Sequence, residues 1–298
     1  MPYRFESGES VPAAIRRIAA EQVDGALEAV RARKSATRDE AVHEARKSIK
    51  KLRALLRLVE DELGDAFEKE NTRLRDLGRK LSAFRDAAAM LQTFDELNDK
   101  YGSELAPGSA QSIRGGLLAH KNRGERRENL KIALQSVSKD LSAAKSRFKR
   151  LRLGNNGFES IAPGIERAFR HGHTAMRQAQ KHPTAENLHA WRRRVKDHWY
   201  HVRLLNDLWP DVMDGYEAAL KSLEDKLGMN HNLDILTERI QAEPDFFATP
   251  GQVKACLAAI CHFQEDLQKK ARHTGQRVYA EKPGALMKRL RGYWSIWA

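Results

Sequence analysis

Residues 188–205 read LHAWRRRVKDHWYHVRLL. Trp191, Val195, Val202 and Leu205 recur at three- and four-residue steps or their sum, the period of a helix with one buried face. His189, Arg192, Arg193, Lys196, Tyr200 and Arg203 fall on a separate stripe of the same helix. Like charges one turn apart repel by roughly a few tenths of a kcal/mol, so a solvated face ordinarily mixes signs. This one is almost undiluted by acid, and such a stripe asks for an anionic partner.

The pattern occurs twice. VHEARKSIKKLRALLRLV, residues 42–59, aligns with it at a shift of 146 (189 − 43), placing His43 on His189, Arg46 on Arg192, Lys47 on Arg193, Lys50 on Lys196 and Arg57 on Arg203. The shift runs without a gap into the next helix, where Leu74 meets Leu220, Leu77 meets Leu223, Lys80 meets Lys226 and Leu81 meets Leu227. A register kept over about fifty residues in both apolar and basic positions reads as an internal duplication, each copy about four helices long. At 100° per residue, His43, Arg46, Lys47, Lys50 and Arg57 fall within about 100° of arc. Ala45, Ile49, Leu52, Leu55, Leu56 and Val59 lie opposite. An isolated basic stripe is usually only a solvated face; its repetition together with its histidine favours an anion site.

Helical periodicity extends almost throughout, and no alternating strand pattern stands out. Helices are expected over 12–33, 38–63, 66–100, 110–150 with a break near Gly124, 158–181, 184–207, 213–241 and 249–275. Loops are expected at APGS (106–109), LGNNG (153–157), KHPT (181–184) and EPDFFATPG (243–251). The expected fold is all-α: two four-helix bundles, 1–153 and 157–298, related by a pseudo-two-fold duplication, forming one domain with a basic groove or channel between them. Arg167, Arg170, Arg177 and Lys181 align on one helix, and Arg79, Arg85, Lys221 and His231 are placed to add to the same surface.

Composition agrees. The 298 residues carry a net charge of +13, with 41% hydrophobic and 31% charged residues, enough apolar content for a core. A basic balance of this size points to nucleic acid, a membrane surface or another polyanion. No run reaches membrane-spanning length and the first residues lack an apolar signal region, so a soluble intracellular chain without membrane insertion is expected. Cys256 and Cys261 have neither disulfide-framework nor zinc spacing. The pairs His171/His173 and His198/His201 lack a carboxylate or cysteine at ligand spacing, so neither a metal nor a cofactor is expected. Asp86 and Asp234 are conceivable metal ligands, but LGMNHNLD (227–234) reads equally well as capping and interhelix hydrogen bonding. No Gly-rich phosphate loop or paired-carboxylate motif supports phosphoryl-transfer chemistry, and the chain is not expected to be an enzyme.

The two basic helices, together with LGMNHNLDIL (227–236), GFESIAPGIERAFRHGHTAM (157–176) and RVYAEKPGALMKRLRGYW (277–294), resemble the CHAD family, the conserved histidine α-helical domain. The resemblance spans nearly the whole chain. One departure is LSAFRDAAAML (81–91), where the family usually carries a Leu-Asp pair after Arg-Asp. The resemblance implies two bundles with a basic surface that binds inorganic polyphosphate non-catalytically. It implies contacts from His43, Arg46, Lys47, Lys50 and Arg57, and from His189, Arg192, Arg193, Lys196 and Arg203. Helical phase adds Arg167, Arg170, Arg177 and Lys221. Polyphosphate has no bases to read; arginines offer bidentate contacts to its oxygens and lysines mobile point charges. The alternative is binding of RNA or DNA backbone by the same cations, which predicts aromatic rings on the basic face for stacking. The expected location is the cytoplasm, including polyphosphate-containing or other storage granules.

Overall fold

The recurring three- and four-residue spacing becomes helix. A computed structural model describes residues 3–31, 38–124 and 127–298, with the side chains of residues 38, 83–87 and 122–128 outside the description. Among the described residues there are thirteen α-helices and no strand. They are α1 (Val11–Arg31), α2 (Arg38–Leu58), α3 (Glu60–Leu63), α4 (Asp65–Lys80), α5 (Ser82–Tyr101), α6 (Ser109–Gly124) and α7 (Arg127–Lys149). The second half has α8 (Ala162–Lys181), α9 (Ala185–Leu204), α10 (Pro210–Ala242), α11 (Pro244–Phe247), α12 (Pro250–Val278) and α13 (Pro283–Trp297).

Local chemistry sets the starts. Prolines occupy the first turn of α8, α10, α12 and α13, where a missing N–H costs nothing. Thr184 caps α9 by accepting from the Asn187 backbone N–H at 3.3 Å, and Thr249 with Gln252 forms a capping box on α12. Two expected helices are divided: 38–63 at Val59 and 66–100 at Leu81. The second break has a visible cause, because Ser82 Oγ donates back to the Gly78 carbonyl at 3.1 Å. Such back-bonding, beside a glycine, loosens and bends a helix. Helix α13 was not among the expected helices; its Leu286, Met287, Leu290 and Trp294 are buried at helical spacing.

Helix α1 packs along α2 as α8 packs along α9, and α4 follows α2 as α10 follows α9. The predicted apolar face of α2, including Ile49, Leu52, Leu55 and Leu56, is fully buried. Each such side chain contributes about 1.5–3 kcal/mol by leaving water. Two hydrophobic clusters result, and both cross the sequence midpoint. The larger joins Ile18, Leu52 and Leu55 to Ile165, Trp191 and Leu220. The smaller joins Phe94 and Ile113 of α5 and α6 to Leu236 and Phe263 of α10 and α12.

Polar bonds also fasten α2 to α9. His201 Nε2 donates to the Ala54 carbonyl at 2.9 Å, and Arg57 donates to Asp197 at 2.9 Å. Tyr3 donates to the Lys51 carbonyl at 2.9 Å while its ring meets Tyr200 edge-on. At Gly164 an added Cβ would collide with the Leu58 carbonyl, so only glycine lets α8 approach the end of α2 this closely.

Candidate functional site

With their apolar faces committed to the core, α2 and α9 turn their basic stripes onto two adjoining cavities of about 580 and 530 Å³. Arg46 and Lys50 from α2, Arg192, Lys196 and Tyr200 from α9, and His231 from α10 line both. The larger cavity continues past His43, Lys47, Lys51, Arg203 and Lys221, and carries the carboxylates of Glu224 and Asp225. The smaller continues past Arg53, Arg57, Arg75, His189, Arg193 and Arg194, with Asp197 as the carboxylate of its lining.

The cations are held in different ways. Arg46 donates to the Gly78 carbonyl at 2.9 Å and to Ser82 Oγ at 2.6 Å. Arg192, which aligns with it at a shift of 146, approaches Glu224 at 3.4 Å without hydrogen-bond alignment at Nε. Its guanidinium lies on Gly228, where a Cβ would come within 3.3 Å of it. Lys196 donates to Glu224 at 2.7 Å. Lys47 pairs with Glu44 at 2.9 Å, Arg203 approaches Glu217 at 3.8 Å, and Lys221 pairs with Asp225. Among the described residues no carboxylate stands within ion-pair distance of Lys50, Arg193 or Arg194.

Burial first, and then crowding of like charge, shows in the ionisation. Desolvation, then Lys196, Arg46 and Arg192, lower the Lys50 pKa to about 7. Its side chain is nevertheless open to water within the cavity, which softens the desolvation while leaving the direction intact. Lys51 is lowered to about 8 by desolvation, Arg203 and Lys47. Desolvation lowers Lys196 more than Glu224 raises it. For Glu224 desolvation pushes upward, but Lys196 and Arg192 outweigh it and hold the carboxylate ionised. The His189 and His231 rings touch, with centroids 4.2 Å apart. Desolvation, then Arg193 and Arg192, lower His189; desolvation, then His189, Arg192 and Lys50, take His231 to about 4.

The cavities bring together His43, Arg46, Lys47, Lys50, Arg57, His189, Arg192, Arg193, Lys196, Arg203 and Lys221. Arg167 instead lines a smaller side cavity of about 270 Å³, paired with Asp61 at 2.8 Å. Arg170 pairs with Glu166 at 2.6 Å on the surface, and Arg177 is exposed; neither lines these cavities. Helical phase aligned these three with one another but could not say which way α8 faces. The side chains of Arg85 and Asp86 lie outside the described residues. Asp234 accepts from Gln264 at 2.6 Å in a network between α10 and α12. His198 and His201 are core residues bonded to Tyr216 and Ala54. Among the described residues no three metal-ligating side chains cluster.

Sequence reasoning missed Lys51, Arg53, Arg75, Arg194 and Glu224. Lys51 and Arg53 sit at about 80° and 280° from His43, just outside the stripe on either flank, and a wider arc would have included them. Arg194 is on the far side of its helix and Arg75 belongs to α4, so no single-helix pattern could have found either.

Residues 18–241 match the family model described as the CHAD domain. No curated protein matches the sequence. A structure described as PptA from Streptomyces chartreusis is similar at 15% identity and a TM-score of 0.64, over 90% of this chain and 98% of that one. The crystal structure of the CHAD domain from the plant Ricinus communis is similar at 16% identity and a TM-score of 0.57, over 98% and 96%. Both likenesses are of fold.

Proposed function

The chain belongs to the CHAD-domain family, and from that premise we propose that its paired basic helices bind inorganic polyphosphate without catalysing a reaction on it. The observation that carries this reading is the shared wall: Arg46 and Lys50 from α2 face the same two cavities as Arg192 and Lys196 from α9. A phosphate chain lying along that wall meets cations from both helices, and relief of their mutual repulsion adds to the binding free energy. Arg46, Arg192 and Arg193 supply guanidinium contacts, Lys50 and Lys196 point charges, and His43 and His189 further donors when protonated.

Nucleic-acid binding by the same surface is the weaker reading. Trp199 and Tyr200 line the larger cavity, but they are buried and stacked on each other at 4.7 Å. Lys221 and Arg203 lie over the Trp199 ring, at 5.5 and 5.9 Å, so the rings serve the cations and leave little face for a base.

The test is a titration with long-chain polyphosphate, competed by single- and double-stranded nucleic acid at two salt concentrations. Polyphosphate should win by well over tenfold at physiological salt, and Arg46→Ala with Arg192→Ala should abolish the preference. Equal competition by nucleic acid, with these arginines mattering no more than other surface charges, would refute the reading.

A further inference from the structure

Five lysines line the two cavities, and they are not alike. Lys47 pairs with Glu44 at 2.9 Å, Lys196 donates to Glu224 at 2.7 Å, and Lys221 pairs with Asp225. Lys51 is 8% exposed, with its ammonium 5.2 Å from the centre of the Tyr3 ring. Lys50 is exposed within both cavities and has no carboxylate at ion-pair distance among the described residues. The charged and titratable groups that face it are Arg46 of α2, Arg192 and Lys196 of α9, and Glu224 and His231 of α10.

A lysine that only holds phosphate does so as a protonated ammonium. The surroundings of Lys50 oppose that state. Desolvation, then Lys196, Arg46 and Arg192, lower its pKa to about 7, and Glu224 is the smallest influence against them. At neutral pH much of Lys50 is therefore free amine, whereas an ordinary lysine holds less than about one part in a thousand in that form. A free amine among cations is a nucleophile beside an anion trap. The geometry points to Lys50 Nζ as a covalent modification site, acylated by small acyl phosphates whose phosphate is held by Arg192 and Lys196. With the anionic end held, the carbonyl carbon meets the amine as a neighbour instead of by chance encounter. The nitrogen adds to that carbon, and the bond from carbon to the phosphate oxygen breaks. Phosphate leaves with the electron pair and takes up the proton that the nitrogen loses. The product is an uncharged amide, so the modified wall presents one cation fewer to polyphosphate. The inference rests on the reading of these cavities as a phosphate site, and asks nothing of the length of the phosphate chain.

The experiment treats the intact protein with acetyl phosphate between pH 6 and 9 and follows each lysine by peptide mass spectrometry. Acetic anhydride serves as the acylating reagent without a phosphate. Lys50 should react about tenfold faster than the exposed Lys254 and Lys288 at neutral pH. Its rate should level off above about pH 8, while theirs continues to climb. With acetic anhydride the preference should shrink by about threefold or more, because nothing steers the reagent. Long-chain polyphosphate added first should slow Lys50 about tenfold and leave Lys254 and Lys288 unchanged. Lys50 reacting no faster than Lys254 overturns the inference, and so does an undiminished preference with acetic anhydride. If polyphosphate binds while Lys50 shows no preference, this inference falls and the proposed function stands. Selective acetylation of Lys50 in a protein that polyphosphate neither binds nor protects does the reverse.

Discussion

Arg46 and Arg192 stand at positions of α2 and α9 that align at a shift of 146 residues, yet they are held differently. Arg46 donates to the Gly78 carbonyl and to Ser82 Oγ, two acceptors with no counterpart at Arg192, which is set against the Glu224 carboxylate and the bare backbone of Gly228. The lysines one turn on differ likewise: Lys196 is paired with Glu224, and Lys50 has no carboxylate at ion-pair distance among the described residues. The same difference is visible in the backbone, since Ser82 breaks its helix after Lys80 while α10 continues straight through the matching positions. Two stripes with one pattern of cations therefore place their carboxylates differently, at Lys47 on α2 and at Lys196 on α9. The buried carboxylate of the α9 half stands at Lys196, and the aligned Lys50 is the lysine without one.

The sharpest way to break this comparison is stability without ligand. Lys196→Ala should destabilise by about 3 kcal/mol in denaturant titration, because it strands a buried carboxylate with a poorly aligned arginine. Lys50→Ala should be neutral or stabilising, since it relieves repulsion. Equal losses would mean that the two lysines are energetically alike.

Affinity should show the reverse order. Lys50→Ala is expected to lose about thirtyfold in polyphosphate binding by calorimetry, in the range of a charge-assisted contact. Loss smaller than that of neighbouring exposed lysines would remove α2 as the main grip.

Proton linkage sharpens the point further. Desolvation and the cations around it lower the Lys50 pKa from its ordinary 10.5 to about 7, and an adjacent phosphate is expected to raise it again. Binding thus takes up a proton, and affinity should fall by up to about tenfold as pH rises from about 6 to 8.5. Lys50→Arg should flatten that profile. The sign for folding without ligand is opposite to that of a lysine held in a salt bridge. The unfolded chain holds this proton up to its ordinary value, so stability declines as pH falls toward about 7 and levels off below.

The smallest effect is expected at Gly228. Gly228→Ala should shift the Arg192 guanidinium by a few tenths of an ångström and weaken binding no more than about threefold. Thermal stability should hold or rise, because alanine is the better helix former.

Much of this was legible in the sequence. Ile49, Leu52 and Val195 mark the buried faces, and the cations that follow a different phase mark the exposed ones, because a helix converts spacing into direction. The period reports direction only within one helix. It located Arg46 and Lys50 on one side of α2, but could not show that Arg75 of α4 joins them or that Arg170 of α8 turns elsewhere. Glu224 was hidden for another reason. In KSLEDKLGM it reads as one charge among several on a mixed face, and the aligned Gly78 gives no hint of a carboxylate. Its significance lies in burial, which depends on how α10 packs against α9.

The bonds that fasten α2 to α9, His201 to Ala54 and Arg57 to Asp197, join a hydrophobic cluster that spans both halves of the chain. The gap between the basic walls is accordingly a fixed gauge. It cannot widen for a thick ligand or close upon a thin one without tearing the core that sets its width. A partly melted molecule would lose its gauge together with its fold.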